Sequence, residues 1–504
     1  MEHVFCSYYT KSEYITNYMV SMLKPCKEDI ILEPSAGDGV FIDKILEIDK
    51  DFKIDALDLN KDAVEILKEK YKSLDNITTV NTDTLLDLQM DKYVATGGHY
   101  TKIIGNPPYG GWQEMDKREE LKSKYIGHYV KETYSLFLLR CISLLEDKGR
   151  LVFIIPDTYM FLHRHEKLRE HILKNTKIKE ILTFPSKLFP GVKFQYSKLS
   201  IVTLEKSNDS NSALENEFRI ITDITKEEDF NSIRNNDTSR FTVISKNQKE
   251  IYDNPSHSFF LSEKNDVINI INNAETTLGD ICSCVTGIYV GNNTKYIEVI
   301  SEDTKNSKGY TVVDSNKINN DYMNEDILSG LEGEQTYIPI VKGASNDRYI
   351  RSSYPWYVNW SKEAIKEYNT NKKARFQNSQ FYFKKGIVVP MIKSSKFRAT
   401  LIDNMVFDQS VVGVFPNEEI YVLYILAFLN SDVARDLIQV INPSANNSAN
   451  YVKKIPVILP SEEGLEYVNG KVGNILTLIN TGSNEDIESY QEEINQFFNE
   501  LYYK

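Results

Sequence analysis

The chain reads IILEPSAGDGVF from Ile30 to Phe41. A short apolar run leads into a turn with two glycines, and a segment with helical spacing begins directly after the turn, at Val40. Glycine lets the backbone turn tightly and approach a ligand. A second β-rich run ends at Asp58, 21 residues after Gly37, where a carboxylate can bind ribose hydroxyls. This order of strand, turn, helix, strand and acid predicts a nucleotide-binding α/β unit.

Short β-rich runs and helical patterns alternate on both sides of this stretch, through about the first two hundred residues. Such alternation indicates a doubly wound, mostly parallel sheet. Helices are predicted at Val40–Glu47 and Lys61–Tyr71. The predicted strands are Ile30–Leu32, Lys53–Leu57, Thr78–Val80, Lys102–Ile104, Leu151–Ile155, Ile178–Thr183 and Leu199–Leu204.

The length of 504 residues suits two domains, each with a sizeable core. The segment Ser207–Glu217 has linker composition and follows the last predicted strand. Beyond it the pattern is irregular, with Asn-rich turns and a late helical run at Glu419–Phe428. We therefore predict an α/β catalytic domain over residues 1–257 and a mixed α+β domain over residues 258–504.

Composition limits the cellular location and the binding partners that the chain can have. No apolar run approaches the roughly 20 residues of a membrane span, and no signal-peptide core is evident, so we expect a cytoplasmic protein. The five cysteines are scattered, so we expect reduced thiols and no metal site. The net charge of −13 argues against nucleic acid as a partner. The stretch from Lys372 to Ile402, however, has eight basic residues interleaved with aromatics and no acid, which favours a phosphate-facing surface over a merely solvated face.

The tetrapeptide Asn106-Pro107-Pro108-Tyr109 ends the apolar run Ile103–Gly105. Neither proline has an N–H, so the Pro107 carbonyl stays outside any ladder, and the Asn106 side chain supplies a second acceptor. Together they could hold a planar amino group while Tyr109 stacks on its ring. The alternative is an ordinary Pro-Pro turn after a strand.

The glycine turn differs from dinucleotide and Walker loops. Glu33, just before the glycines, would repel a pyrophosphate and suits a cationic ligand such as S-adenosylmethionine. Asp83, at the end of the third strand, can accept from the adenine amino group of that cofactor. The alternative for Asp83 is a helix cap or a turn residue.

These features resemble the TaqI-type, or γ, group of DNA adenine-N6 methyltransferases. The matching elements are Tyr9-Thr10, the EPxxGxG loop, the ribose acid, the NPPY tetrapeptide and a long C-terminal region. The resemblance is strong over residues 8–205, although Lys11 replaces the proline that usually follows Thr10. It implies a Rossmann-like, doubly wound, seven-stranded S-adenosylmethionine-dependent methyltransferase sheet, followed by a mixed α+β target-recognition domain.

The resemblance also implies site residues. The implied catalytic residues are Asn106, Pro107 and Tyr109. A flipped adenine would stack between Tyr109 and Phe189, with Phe194 as the alternative to Phe189. The implied cofactor-binding residues are Thr10, Glu33, Pro34, Ser35, Ala36, Gly37, Gly39, Asp58, Leu59, Asp83, Thr84, Asn106 and Pro108.

Short elements of the second domain resemble target-recognition regions of the same enzymes. They are Leu278–Ile281, Thr286–Ile288, Gly291–Asn293 and Leu426–Ser431. The candidate DNA contacts are Lys193, Lys342, Arg348, Arg351, Trp356, Lys393 and Arg398.

The expected reaction is methyl transfer from S-adenosylmethionine to N6 of an adenine in double-stranded DNA. The alternatives are NPPY enzymes that modify a glutamine amide in protein or a guanine in ribosomal RNA, and a non-enzymatic DNA-specificity subunit. About eight residues precede the cofactor element, and a second domain of roughly 250 residues is predicted after the catalytic domain, a layout that favours DNA. The protein would act as a monomer, either beside a separately encoded endonuclease or as a solitary regulator.

Overall fold

The computed structural model describes residues 10–110, 115–189, 198–261, 264–343, 345–392, 397–442, 447–482 and 487–503. The chain divides into two compact units, Met1–Glu263 and Lys264–Lys504. The predicted boundary after residue 257 falls at the end of a short 3-10 turn, Pro255–His257, close to this division. No helix among the described residues is long and apolar enough to cross a membrane.

The first unit is built on one mixed sheet. Its strands are β1 (Ile30–Glu33), β2 (Lys53–Asp58), β3 (Ile77–Asn81), β4 (Tyr100–Gly105), β5 (Leu145–Pro156), β6 (Thr176–Pro185), β7 (Lys198–Lys206), β8 (Glu217–Thr222) and β9 (Thr242–Asn247). Its helices are α1 (Glu13–Leu23), α2 (Val40–Leu46), α3 (Lys61–Lys70), α4 (Leu88–Ala95), α5 (Met115–Lys124), α6 (Thr133–Leu144), α7 (Glu166–Asn175), α8 (Ser210–Leu214), α9 (Asp229–Arg234) and α10 (Gln248–Asp253).

The strand order is β3-β2-β1-β4-β5-β7-β6-β8-β9. Strands β1 to β5 pair in parallel, and β7 lies antiparallel between β5 and β6. Residues Leu151–Pro156 of β5 are all buried. Because successive residues point to opposite faces, both faces of the sheet are covered there, as in a doubly wound fold.

Each predicted strand lies within one of β1 to β7, but the seven-stranded sheet was an underestimate, because the described sheet has nine strands. The interpretation of Ser207–Glu217 as a linker is also wrong, because the strands before and after this segment, β7 and β8, belong to the same sheet. Asp209 caps α8 inside this segment, and the next strand, β8, pairs in parallel with β6. Asn216 donates to the Ile178 carbonyl over 2.7 Å, which ties the polar segment to the sheet.

The parallel strands place their carboxyl ends at one edge of the sheet. The glycine turn follows β1, Asp58 ends β2, Asp83 follows β3 and Asn106 follows β4. Residues that are far apart in the sequence therefore meet at this edge, the usual ligand-binding edge of an open α/β sheet.

The second unit contains two four-stranded sheets, β10-β17-β14-β15 and β11-β13-β12-β16. The strands are β10 (Cys282–Thr286), β11 (Ile297–Val299), β12 (Tyr337–Val341), β13 (Trp356–Asn359), β14 (Gly386–Pro390), β15 (Thr400–Ile402), β16 (Val406–Phe407) and β17 (Val411–Pro416). The helices are α11 (Asn265–Asn272), α12 (Leu278–Ile281), α13 (Asn293–Tyr296), α14 (Lys362–Thr370), α15 (Val422–Asn430), α16 (Asp432–Ile441), α17 (Ala449–Val452), α18 (Glu462–Thr481) and α19 (Ile487–Tyr502).

An aromatic core surrounds Trp360 in the second unit, and the Trp360 indole N–H donates to the Ile327 carbonyl over 2.7 Å. Tyr382 and Phe383, two of the aromatics predicted to interleave a phosphate-facing surface, belong to this core and are 3% and 8% exposed. That part of the prediction is wrong, because burying large rings stabilises the fold more than exposing them. The neighbouring Lys372 and Lys373 are exposed.

Candidate active site

The turn after β1 follows a tight path that requires glycine. Gly39 has a φ of +76°, and a Cβ at this position would lie 2.6 Å from the Tyr71 hydroxyl oxygen and 2.8 Å from a Leu67 methyl group. The Tyr71 hydroxyl donates to the Gly39 carbonyl over 3.1 Å. The turn is therefore held against α3, and any side chain at position 39 would displace it.

Asp58 connects this turn to β2. Its carboxylate accepts the Gly37 N–H over 2.8 Å and the Asn60 N–H over 2.7 Å. Burial nevertheless raises the pKa of the Asp58 carboxyl, because desolvation outweighs these hydrogen bonds. Leu59, the next predicted cofactor residue, is half-buried, and its carbonyl accepts from the Asn81 side chain.

Glu33 is a deeply buried carboxyl group at this edge of the sheet. Its side chain is 2% exposed, and its Oε2 has no hydrogen-bond partner among the described residues. Burial raises the pKa of the Glu33 carboxyl well above its ordinary value, and the charges of Asp38 and Asp58 raise it further. A buried acceptor of this kind would be satisfied by a cationic or hydrogen-bond-donating ligand.

Asp83 and Thr84 continue the edge beyond β3. Asp83 accepts the Leu85 N–H over 3.0 Å, whereas its buried Oδ2 has no hydrogen bond among the described residues and lies 3.6 Å from the Lys117 ammonium. The residue that caps α4 is Asp87, so Asp83 is not a helix cap; the Leu86 N–H donates to the Asp83 carbonyl over 2.9 Å, which makes Asp83 a turn residue, as the alternative from the sequence allowed. The Thr84 hydroxyl donates to the Pro34 carbonyl over 2.6 Å, which joins this segment to the glycine turn.

Asn106 lies where β4 ends, in contact with two other predicted site residues. Its side-chain amide nitrogen donates to the Thr10 hydroxyl over 3.2 Å, and the Ser35 hydroxyl donates to the main-chain carbonyl of Asn106 over 3.4 Å. Thr10 is 3% exposed, and Tyr9, the other residue of that element, lies outside the described residues. The structure thus brings together three segments that the sequence assigned to one site.

Tyr109 and Phe189 were predicted to stack on a base, and each is 1% exposed here. The Tyr109 hydroxyl donates to the Ile154 carbonyl over 3.2 Å, and its ring meets the edge of Tyr134. A base could reach either ring only after the residues that cover it move. The alternative stacking residue, Phe194, and the predicted DNA contact Lys193 lie outside the described residues.

Three predicted DNA contacts have structural roles inside the second unit. Lys342 forms a 2.8 Å ion pair with Asp408, and Arg351 donates to the Gly343 carbonyl over 2.8 Å. Trp356 is 6% exposed and meets the edge of the Tyr310 ring. Their polar groups or rings are already used within the fold, and the assignment of these three residues to DNA contacts stays a prediction.

The other predicted DNA contacts differ in accessibility. Arg348 forms a 3.3 Å ion pair with the exposed Glu488, where solvent weakens the attraction. Arg398 is half-buried, and its Nε has no hydrogen-bond partner among the described residues. Lys393 lies outside the described residues.

The second unit also has an open polar groove of about 490 Å³. It includes the Gly291–Asn293 element, and exposed Lys295 forms a 3.1 Å ion pair with Glu367 within it. Lys373 lies on the groove wall. No sequence signal connected Lys295 with Lys373, which are brought together only by the packing of α13 near the loop after α14.

Sequence analysis did not identify two residues that lie near the site. Lys117 approaches Asp83, and the Thr133 hydroxyl donates to the Pro108 carbonyl over 2.6 Å. A signal for Thr133 was available, since a loop with two prolines lacks N–H groups and needs a donor from elsewhere. Lys117 gave no such signal, because a lysine on a charged helix is usually solvated.

The sheet order and the loops at its carboxyl edge define the class of fold, an open α/β sheet of the methyltransferase type with a ligand-binding edge. The Eco57I restriction-modification methylase family matches residues 15–189. Type II methyltransferase M.HindII of Haemophilus influenzae strain Rd is 25% identical over 83% of this chain and 82% of its own length. M.HincII of Haemophilus influenzae is 26% identical over 83% and 81%. These matches confirm the resemblance to the adenine methyltransferases of restriction–modification systems.

More distant similarity extends over both units. Adenine-specific methyltransferase PglX of Lacticaseibacillus casei is 23% identical over 72% of this chain and 30% of its own length. The solved structure of the Type ISP restriction-modification enzyme LlaGI, a nuclease-deletion mutant bound to a DNA substrate mimic, matches 94% of this chain and 47% of its own, with a TM-score of 0.58 and 13% identity. The DrdV–DNA complex matches 94% and 57%, with a TM-score of 0.57 and 12% identity. At this identity the two structures establish similarity of fold.

Proposed function

We propose that the protein transfers a methyl group from S-adenosylmethionine to the N6 amino group of an adenine flipped out of double-stranded DNA. The observation that carries the proposal is the contact of Asn106 with both Thr10 and Ser35. Through these contacts the acceptor segment lies against the glycine turn, so that a bound amino group and a bound cofactor would be neighbours. Proximity and orientation of this kind are a main source of rate in group transfer.

The residues of the carboxyl edge fit S-adenosylmethionine, which when bound supplies an electrophilic methyl group on a sulfonium. Glu33 offers a buried acceptor without a hydrogen bond from the described residues, and Asp58 and Asp38 add negative charge around it. Such a set favours a cationic ligand over a pyrophosphate. Asp83 has a similar buried acceptor, suited to an adenine amino group.

Asn106 and Pro107 would bind the amino group of the target base. The Pro107 carbonyl accepts no hydrogen bond from the described residues, and the Asn106 amide is oriented by Thr10. Two acceptors on the amino hydrogens hold the nitrogen in place and favour the positive charge that develops on it, after which the proton is lost. Base extrusion costs roughly a few kcal/mol, which stacking on Tyr109 and Phe189 would offset.

We assign target recognition to the second unit and catalysis to the first. Exposed Lys372 and Lys373, beside the polar groove, provide positive charge for DNA phosphates. The similarity to M.HindII over 83% of the chain supports a DNA modification enzyme. We propose that it acts on cytoplasmic DNA as a monomer. It would act beside a separate endonuclease or alone.

Two alternatives predict different outcomes. An NPPY enzyme acting on a protein glutamine or on ribosomal guanine would leave DNA unmodified. A non-enzymatic specificity subunit would bind DNA without consuming S-adenosylmethionine. The relatives that match both units are named as methyltransferases, which favours the DNA enzyme over either alternative.

The test is expression in a host that lacks adenine methylation, followed by single-molecule sequencing of its DNA. We expect N6-methyladenine at one fixed sequence motif. Asn106→Ala should nearly abolish the modification while S-adenosylmethionine binding persists, whereas Asn235→Ala, at an exposed asparagine of the same unit, should leave both unchanged. Unmodified DNA with wild-type protein present and folded would reject the proposal.

A further inference from the structure

The Pro107-Pro108 segment poses a structural problem. Neither proline has an N–H, so this part of the loop cannot be fixed by its own backbone donors. An acceptor that must keep its position through a reaction needs support from outside the loop. The support has to come from donors that bind the loop's carbonyl oxygens.

Thr133, the first residue of α6, supplies these donors. Its hydroxyl donates to the Pro108 carbonyl over 2.6 Å and closely approaches the Gly110 carbonyl, which also accepts the Thr133 N–H over 3.3 Å. Thr133 is 4% exposed, so solvent does not compete strongly for these bonds. One residue thus binds the carbonyls on either side of Tyr109.

The start of α6 is itself held by a buried polar network. The Glu132 carboxylate binds the His165 ring over 2.8 Å and the Arg164 guanidinium over 2.7 Å. The Tyr134 hydroxyl lies 2.8 Å from the Thr158 hydroxyl. Residues on both sides of Thr133 are therefore fixed, and the position of its hydroxyl is fixed with them.

We propose that Thr133 is a positioning residue, which holds the Pro108 and Gly110 carbonyls so that the Pro107 carbonyl keeps the orientation needed to accept from the target amino group. The inference rests on the proposed function. It adds a residue outside the NPPY tetrapeptide and the resemblance, with a role exerted through the loop and no contact to the base.

The substitution Thr133→Val keeps the shape of the side chain and removes its hydroxyl. We expect kcat for methyl transfer to fall about tenfold, because a displaced acceptor loses transition-state contacts. KM for S-adenosylmethionine should stay within about twofold, since Thr133 has no contact with the glycine turn. Thr133→Ser should restore most of kcat, because it keeps the donor.

The matched control is Ser135→Ala on the same turn of α6. Ser135 donates to the Glu132 carbonyl over 2.7 Å, and in the part of the chain that the structure describes it forms no hydrogen bond with Pro107, Pro108 or Gly110. Loss of this buried hydrogen bond should lower thermal stability slightly and leave kcat unchanged. A defect confined to Thr133→Val would then reflect positioning, since general loosening of α6 would affect both variants.

The assay uses tritiated S-adenosylmethionine and genomic DNA from the unmodified host, so no recognition sequence is needed. Equal kcat for wild type and Thr133→Val would overturn the inference while leaving the proposed function intact. Failure of the wild type to label DNA would reject the proposed function instead. If Thr133→Val does not fold, Thr133→Cys replaces it, because the thiol is a weaker donor than the hydroxyl. Its kcat should lie between those of wild type and Asn106→Ala. A kcat equal to that of wild type would overturn the inference.

Discussion

The Asn106 amide nitrogen lies 3.2 Å from the Thr10 hydroxyl oxygen, and the bond joins residues 96 positions apart in the chain. An amide has a donor side and an acceptor side. Thr10 receives the donor side here, so the bond holds the plane of the amide with the Asn106 carbonyl oxygen facing away from Thr10. Thr10 therefore supports the position of the acceptor in addition to any contact it makes with the cofactor.

Thr10→Val should lower methyl transfer about fivefold, since the loss of one hydrogen bond costs roughly 1 kcal/mol. Thr10→Ser should retain most of the activity. Steady-state labelling of DNA measures the effect, and equilibrium binding of S-adenosylmethionine separates orientation of Asn106 from loss of a cofactor contact. A valine variant with full activity would show that the amide is oriented by other residues.

The sequence predicted the catalytic sheet well because strands and helices in an α/β unit have distinct hydrophobic periods. All the predicted strands lie within β1 to β7, and the loops after β1 and β4 lie at the same edge. The strands β8 and β9 were missed because the segment before them, Ser207–Glu217, is polar. Its helix is stabilised by the Asp209 cap and by contacts of Asn216, which only the folded chain brings together.

The DNA contacts stay predictions, and sequence does not reveal which of these cations the fold itself uses. Lys342 and Arg351 are basic residues of the expected kind, yet one binds Asp408 and the other the Gly343 carbonyl. The rings of Tyr382 and Phe383 form core in a stretch whose composition suggests surface. Burial follows from long-range packing, which a local pattern does not encode.

Replacing Glu33 by Gln tests the electrostatics of the cofactor site. The folded protein raises the pKa of this carboxyl above 4.5, so the folded state retains a proton that the unfolded state loses as pH rises past that value. The preference of folded Glu33 for its protonated form therefore costs stability as pH rises above 4.5, and Glu33→Gln should raise the melting temperature of the cofactor-free protein above that pH. A cationic ligand favours the ionised form, so wild-type binding should release protons.

The measurement is calorimetric titration of S-adenosylmethionine at a series of pH values in buffers of different ionisation enthalpy. At a pH where Glu33 is protonated in the free protein, wild type should show a buffer-dependent heat, and Glu33→Gln should show none and bind more weakly. Buffer-independent binding by wild type would contradict a role for Glu33 ionisation.

Asp157, which follows β5, is a second buried carboxyl, and its ionisation lowers the stability of the folded state. Burial raises its pKa from 3.8 to about 7. Stability should therefore fall as pH rises from about 4 to 7 and then level off, because the folded state binds the extra proton over that interval. Asp157→Asn should raise the melting temperature more at pH 8 than at pH 5. The control is Asp51→Asn at an exposed position, for which the two pH values should give the same small change.

Lys342→Met should destabilise the second unit, although Lys342 seemed from the sequence to be a DNA contact. The side chains of Lys342 and Asp408 are 14% and 5% exposed, so removal of the cation leaves a buried carboxylate unpaired. Loss of one partner of such a pair costs about 3–5 kcal/mol. Chemical denaturation measures it, and the double variant Lys342→Met/Asp408→Asn should recover part of the loss. An unchanged unfolding midpoint for the single variant would show that the pair contributes nothing.

Lys372→Ala/Lys373→Ala should weaken DNA binding without affecting the fold. Both lysines are exposed, and neither forms an ion pair among the described residues, so their removal leaves no buried charge. If each contacts one phosphate, the slope of log affinity against log salt should decrease in magnitude by about 2, because each contact contributes about 0.9. Fluorescence anisotropy with duplex DNA at several salt concentrations measures the slope. Lys305→Ala/Lys308→Ala, at two exposed lysines elsewhere in the same unit, is the matched control for net charge. Equal slopes for the two double variants would place the phosphate contacts on another surface.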